Sequence, residues 1–553
     1  MSNRQEFVQV VRNFDGIGSF SLSSAQESIY TDQAIHPEST AYNLGGIVEI
    51  PGKIDIETLK ASIQYSARKF DTLRLTISES DDGISQCIAS SINLAIPTTT
   101  ILDNCLERDA ARSLALEFAE KPMNLTGESS LWGVHIVQVG ESETWLVYRF
   151  HHIIADGFSV ALIIRDICKT YDALVSGLKP NVLSDFTFAS ILDREEQYLR
   201  SARFSSDQLF WNRKFDLSNS TNIKERDYRP HHEKSKNISI NIARSEYSLT
   251  EEVLARSQIS MANFFIACLA TVCSKVRQSD AISIGISSHN RTTTIEKAQG
   301  VGMISTVLPI LVETGDELAI EQLCKDVSAQ LRSVYRHRQF QFAQVDSTGR
   351  RGPSRTGTLY DVLFSHEKFH DSDDVQIDGR RVKVQKFESG YERAALAVYV
   401  RDYHSDEDIP VTVHFRRDQT YQIEAERFVI YLREIFALIA KRGALPSHQV
   451  PLICESERDQ LLGEFNDTAC SFEGQHLTLH ELVEQHARQT PSATALVYGD
   501  QHLSYAELNA RANQLAHYLR EHGVGPDVLV AICAERSLEM VVALLGVLKA
   551  GGA

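Results

Sequence analysis

The stretch Phe150-His151-His152-Ile153-Ile154-Ala155-Asp156-Gly157-Phe158-Ser159 decides how this chain is read. Before it, Thr144 to His152 is rich in β-formers. After Gly157 the apolar positions fall at Val160, Ile163, Ile164, Ile167, Tyr171 and Leu174, the spacing of one helix face, and Gly177 supplies a stop. A strand therefore turns into a helix, and the turn holds two imidazoles, a carboxylate and a glycine. Side chains alternate along a strand, so Leu146, Tyr148, Phe150 and His152 share one face while Trp145, Val147, Arg149 and His151 share the other. The two histidines cannot both face one substrate.

A histidine at the end of a rigid strand suits general-base chemistry, because its reference pKa of about 6.5 lies near working pH. The plainer reading, a satisfied structural histidine, is preferred for His151. Asp156 stands too close along the chain to be assumed a second catalytic group. Orienting the loop through buried hydrogen bonds or an arginine accounts for it equally well.

Outward from the motif, a helix is expected over Gln26 to Gln33, a strand over Tyr42 to Ile50, a helix capped by Asp55, and a strand from Thr72 to Ile77. A helix over Leu106 to Ala119 and a strand over Leu131 to Val139 follow. Beyond the motif, Asn181 to Phe215 reads as helical, and the charged run Ser218 to Asn237 as an internal boundary. Next come the strand Ile238 to Tyr247, helices over Thr250 to Ser257 and Met261 to Val276, and strands at Ala281 to Ser287 and Ser305 to Val312. A helix over Leu318 to Arg338, strands at Asp361 to His366, Ala394 to Arg401 and Ile409 to Phe415, and a helix over Glu424 to Lys441 close this part. The mixture gives an α/β (α+β, mixed-sheet) chain of two similar lobes. The boundaries are a lead-in at 1–18, a first lobe at 19–225, a second at 226–446, a linker at 447–475 and a further segment at 476–553.

Composition narrows the function. The 553 residues carry a formal net charge of −17, which repels a polyanion, so nucleic acid is not an expected partner. The densest basic stretch, Arg336 to Arg338 and on to Arg350, Arg351 and Arg355, is broken by apolar and turn residues. Nine dispersed cysteines without a CxxC pair or histidines at ligand spacing read as reduced thiols, with no metal site expected. The longest nearly apolar run, Phe264 to Cys273, is too short to span a bilayer, and a cytoplasmic protein is expected. Gly300-Val301-Gly302-Met303 lacks the third glycine of a dinucleotide loop.

The motif resembles the HHxxxDG signature of the condensation domains of nonribosomal peptide synthetases, which share their fold with chloramphenicol acetyltransferase. Ser23-Ser24-Ala25-Gln26 resembles the family's SxAQ motif, and Leu73-Arg74 its next one. Gly302-Met303-Ile304-Ser305-Thr306-Val307-Leu308-Pro309 resembles GxFVNT, with Thr306 in place of asparagine. Arg336-His337-Arg338-Gln339-Phe340 resembles the RHQ element, with Arg338 in place of glutamine. The likeness runs from about residue 19 to 446. It implies two lobes forming a V around a tunnel, in which a donor acyl thioester meets an aminoacyl thioester at His152. Gly157 would offer a backbone N–H to the developing oxyanion. His151 and Asp156 would be structural, with Arg291 of the second lobe pairing with Asp156. Ser24, Ser305, Thr306, His337 and His366 are expected along the tunnel, each as a wall or packing residue.

Ser305-Thr306-Val307 and the segment Val400-Arg401-Asp402-Tyr403 resemble the starter, or lipoinitiation, subtype, as in surfactin synthetase. That subtype implies acyl-CoA as donor, a peptidyl carrier domain bearing phosphopantetheine and the acceptor amino acid as partner, and a lipopeptide product. No cofactor is expected to be bound covalently. The Asp156-Gly157-Phe158-Ser159 ending also resembles domains that take an aryl acid from a separate aryl carrier protein. Epimerisation and a non-catalytic carrier-docking role are compatible with the same motif. Leu503-Ser504-Tyr505-Ala506-Glu507-Leu508 and Leu548-Lys549-Ala550-Gly551 resemble the first two motifs of an adenylation domain, without its nucleotide loop or amino-acid pocket, so no adenylation is expected.

Overall fold

The computed structural model describes residues 19–553 apart from 216–233, 341–359, 369–374 and 447–451, and apart from positions 82, 93, 102–106, 128–129, 181–183, 316–317, 361, 388–389, 393, 417–418, 454 and 473. The lead-in at 1–18, most of the internal boundary, the helix and strand starts at Leu106, Asn181 and Asp361, and Arg350, Arg351 and Arg355 lie outside the described residues.

Residues 1–454 form one compact unit, whose described residues are built around two large sheets, with a three-stranded sheet (Ser19–Phe20, Gly83–Ile88, Leu75–Ser80) and a two-stranded one (Gln376–Ile377, Arg380–Arg381) beside them. The first sheet has five strands in the order Lys383–Lys386, Asn43–Pro51, Glu143–His151, Trp132–Val139 and Thr98–Ile101. Alternation sorts its two faces as expected. Leu146, Tyr148 and Phe150 enter the core built with Ile63, Ile163 and Ile167, while Trp145 and Val147 pack with Ala111 and Ala115 of the helix Glu107–Ala119. The helix Gly157–Val175 buries Val160, Ile163, Ile164, Ile167 and Tyr171, about 1.5–3 kcal/mol for each large aliphatic side chain. That face fixes the helix against the sheet, and with it the turn at its start.

The second sheet has six strands in the order Thr306–Glu313, Ala281–Ser288, Val362–Lys368, Leu396–Asp402, Ile409–Phe415 and Lys236–Ile242. Its core side packs on the helix Met261–Arg277, whose Phe264 to Cys273 are all buried. That apolar run is thus a core helix. No single helix among the described residues is long and apolar enough to cross a membrane.

Three features depart from the sequence reading. The strand expected to reach Tyr247 stops at Ile242, and a helix runs over Arg244–Arg256 with Tyr247, Val253 and Leu254 buried on one side. The helix expected over Asn181 to Phe215 is two helices, Phe188–Leu199 and Ala202–Phe215. The segment 375–387 belongs to the second lobe in sequence but docks on the first. Ile377 and Val382 enter the first lobe's core, and Lys383–Lys386 pairs antiparallel with Asn43–Pro51, Lys386 opposite Gly46. The range 226–446 is therefore not one lobe in space.

The contact boundary falls after Cys454, inside the range 447–475, and Leu445 and Leu452 before it still pack on the second lobe's core. The unit 455–553 holds the hairpin Thr494–Tyr498 and Gln501–Ser504 and the helices Leu479–Gln489, Tyr505–Glu521 and Leu538–Ala550, packed around Leu508, Ala512 and Leu545. Seven described cysteines are free, and no group of metal-ligating side chains occurs among the described residues.

Candidate active site

The strand Glu143–His151 ends on the first histidine of the motif, and His152 begins the turn. His151 is buried; its Nδ1 accepts from the Ile153 N–H at 3.2 Å, and its Nε2 lies 3.4 Å from Oε1 of Gln33. Burial, with His152 beside it, pushes its pKa down to about 3, so it is a neutral, satisfied group at working pH. His152 is half-buried, and its backbone N–H is tied to the Tyr42 carbonyl at 2.7 Å. Of the two histidines, only His152 is partly exposed.

Asp156 caps the helix that follows. Its Oδ1 accepts from the Ser159 N–H and hydroxyl, both at 2.8 Å, while its Oδ2 accepts from the Ser305 N–H at 2.9 Å and the Ile304 N–H at 3.3 Å. Arg291, equally buried, donates to both carboxylate oxygens at 3.0 and 2.9 Å. Its remaining N–H groups reach the carbonyls of Gly300 and His289 and the Ser159 hydroxyl, so all five donors are used. The guanidinium also lies 4.6 Å from the Phe158 ring centroid. Burial alone would raise the Asp156 pKa; the Arg291 charge and these hydrogen bonds outweigh it and hold the carboxyl below its ordinary range. A carboxylate with this many partners and no exposure cannot accept a proton from a substrate. It ties the motif to the 291–305 loop of the second lobe.

Gly157 opens the helix with an ordinary backbone angle, and a Cβ built on it would meet only Nζ of Lys386, at 3.7 Å. No backbone strain and no packing within the described residues demands glycine there. The space beside its Cα is open.

The other expected tunnel residues divide. Ser305 presents its backbone to Asp156, and Thr306 opens a strand opposite Ser288. The Ser24 hydroxyl and N–H both go to Glu195, beside a cavity lined by Ser23, Ala25, Glu195, Asn290, Met303 and Ile304. His337 and His366 are held by packing and hydrogen bonds. The His337 ring stacks on Phe210 at 3.8 Å and bonds Asp207 at 2.7 Å. His366 shares the core face of its strand with Val362 and Phe364 and meets the Tyr247 hydroxyl at 3.1 Å; burial pushes its pKa down to about 4. Strand alternation puts its neighbour Glu367 on the opposite face, with Leu363.

Glu367 and Lys386 are what the sequence reading missed, and Tyr403 was named only within the segment Val400-Arg401-Asp402-Tyr403. Lys386 pairs with Glu367 at 2.7 Å and lies 5.0 Å from the Tyr403 ring centroid, and the Tyr403 hydroxyl donates to the same carboxylate. Burial would raise the Glu367 pKa, but the charges of Lys386 and Arg401 hold it below the ordinary range.

With this geometry in place, the comparisons give the class. The condensation domain family model matches residues 17–462, and the chain belongs to that family. An AMP-binding enzyme match over residues 483–553 follows, so a condensation domain precedes the start of an AMP-binding domain. Among curated relatives, a linear gramicidin synthase polypeptide from Brevibacillus parabrevis is 27% identical over 96% of this chain and 10% of its own length. A dimodular nonribosomal peptide synthase from Bacillus subtilis is 24% identical over 97% of this chain and 22% of its own length. The chain thus spans only a small part of these relatives. The starter condensation domain of rhizomide synthetase, solved as a mutant in complex with C8-CoA, matches with a TM-score of 0.67 at 20% identity, covering 79% of this chain and 98% of that one. The first condensation domain of the CDA synthetase matches with a TM-score of 0.64 at 17% identity, covering 79% of this chain and 99% of that one. These likenesses show the fold, mixed α/β of the chloramphenicol acetyltransferase type. Condensation domains form amide bonds by acyl transfer.

Proposed function

We propose that the condensation region joins an acyl donor to an aminoacyl thioester on a peptidyl carrier domain at His152, with fatty acyl-CoA as the donor, and so begins a lipopeptide. The observation that carries the site assignment is the unequal pair of histidines. His151 is buried and bonded within the turn, Asp156 is consumed by Arg291, and His152 alone keeps exposure beside the bare Gly157.

In this reading the acceptor amine attacks the donor carbonyl. His152 takes the proton as the bond forms or holds the amine in line, Gly157 leaves room for the carbonyl oxygen beside the first N–H of the helix, and the thiol departs. A thioester is already activated, so bringing the two reactants together supplies much of the rate. A positioned base adds about 10² to 10⁴-fold. Phosphopantetheine enters as the carrier's substrate arm. The starter domain of rhizomide synthetase, which was solved with C8-CoA, supports the acyl-CoA donor.

The test is a donor comparison. The chain is incubated with a mixture of aminoacyl N-acetylcysteamine thioesters and either octanoyl-CoA or a salicyl-loaded aryl carrier, and products are read by mass. Octanoyl amide is expected. Product from the aryl carrier alone would overturn the acyl-CoA reading in favour of the aryl one.

A further inference from the structure

The described residues place one further charged group beside the reacting position. Lys386 sits on the strand Lys383–Lys386, which leaves its own lobe to pair with Asn43–Pro51; Asn43 of that strand stands opposite His151. The crossing brings the Lys386 ammonium 3.7 Å from the point a Gly157 side chain would occupy, and among the described residues, apart from the glycine's chain neighbours and its own helix backbone, no other atom lies within 4 Å of that point. A group approaching the bare side of Gly157 therefore meets Lys386. The ammonium is held there by Glu367, by the Tyr403 ring, and by a Tyr403 hydroxyl that fixes Glu367 in turn. Its side chain is only 24% exposed, so its charge is screened less than that of a surface lysine.

We propose that Lys386 is a catalytic residue of this site: its ammonium donates a hydrogen bond to the carbonyl oxygen that becomes negative when the amine adds to the thioester. The inference rests on the amide-forming reading above. As the N–C bond forms, the carbonyl π pair moves onto oxygen and is met by Lys386 and the helix N-terminus at Gly157. Lys386 keeps its proton throughout. On collapse the pair returns, the C–S bond breaks, and the sulfur takes the proton released by the amine. The simpler role, an ion pair that pins the crossing strand, predicts a loss of stability without a loss of rate.

The experiment is single-turnover octanoyl transfer from octanoyl-CoA to the aminoacyl N-acetylcysteamine mixture, run on wild type, Lys386→Met and Lys386→Arg, each with its melting temperature. Removing one oxyanion donor lowers kcat by about 10² to 10³-fold. Lys386→Met is expected to slow transfer by about 100-fold with acceptor KM within about threefold. Lys386→Arg, which keeps the charge but shifts its position, is expected to lose about tenfold at an unchanged melting temperature. Rates within about threefold of wild type for folded Lys386→Met overturn the proposal. If the Met variant does not fold, a wild-type rate in Lys386→Arg overturns it and a tenfold loss upholds it. Failure of wild type with every donor would instead refute the amide-forming reading itself, and this proposal with it.

Discussion

Two ion pairs flank the same turn, and they differ in what they leave over. Asp156–Arg291 has no exposure to speak of, and every guanidinium donor is matched within the protein. Lys386–Glu367 is about one-fifth exposed on each side, and its ammonium borders the open space at Gly157. Both join distant parts of the chain. A pair whose hydrogen-bonding capacity is exhausted inside the fold holds architecture, whereas a pair that faces a vacant approach to the helix start is placed to meet a reactant.

The largest effect tests the first half of that contrast. Asp156→Ala leaves Arg291 charged and buried, a loss of about 3–5 kcal/mol, so urea unfolding should show a strongly destabilised or insoluble protein. Unchanged stability with lost activity would make Asp156 a reacting group and dissolve the distinction.

Acid sharpens the reading of His151. Its folded pKa of about 3 lies below the unfolded value of about 6.5. The unfolded chain therefore binds the proton first, and stability is full above about pH 6.5 and declines as pH falls toward 3. At about 1.4 kcal/mol per pH unit, roughly 2 kcal/mol is lost between pH 6.5 and 5. His151→Gln should flatten that part of the stability profile, and an unchanged slope would contradict the buried neutral state. Asp156, whose pKa is lowered, adds its own loss only below about pH 4.

Glu367→Gln should cost about 1–2 kcal/mol, between the values for exposed and buried pairs, because the ammonium it leaves behind still touches solvent. A loss as large as that of Asp156→Ala would erase the difference between the two pairs. The smallest effect belongs to His366→Gln, which gives up a hydrogen bond to Tyr247 worth about 1 kcal/mol. Its transfer rate should stay within about threefold of wild type; a larger drop would return His366 to the site.

How much of this was legible in sequence follows from the range of the interactions. The strand, turn and helix around His152 could be read because period two gives way to helical spacing at Gly157, and the core obeys that pattern residue by residue. The partner of Asp156 came from family resemblance, since no local pattern points from residue 156 to 291. The segment 376–386 was illegible for a physical reason. Its strands are two to four residues long, Arg380, Arg381, Lys383 and Lys386 are charged, and the partner of Lys383–Lys386 lies more than 300 residues away. Only the edge of a sheet already formed makes Lys383–Lys386 a strand. The helix Arg244–Arg256 was mistaken in part because Ile238, Ile240 and Ile242 alternate cleanly, and the break at Ala243 carries no glycine or proline. His366, expected as a wall or packing residue, packs on the core face of its strand, and strand parity turns Glu367 to the other face, with Leu363.

The central claim is that chemistry resides at His152 and architecture at its neighbours. Its most direct test is single-turnover amide formation by wild type and His152→Ala, with thermal unfolding of the same preparations. The expected result is a rate lower by about 10² to 10⁴-fold at a melting temperature within a few degrees of wild type. Amide formation at the wild-type rate in the Ala variant would contradict it.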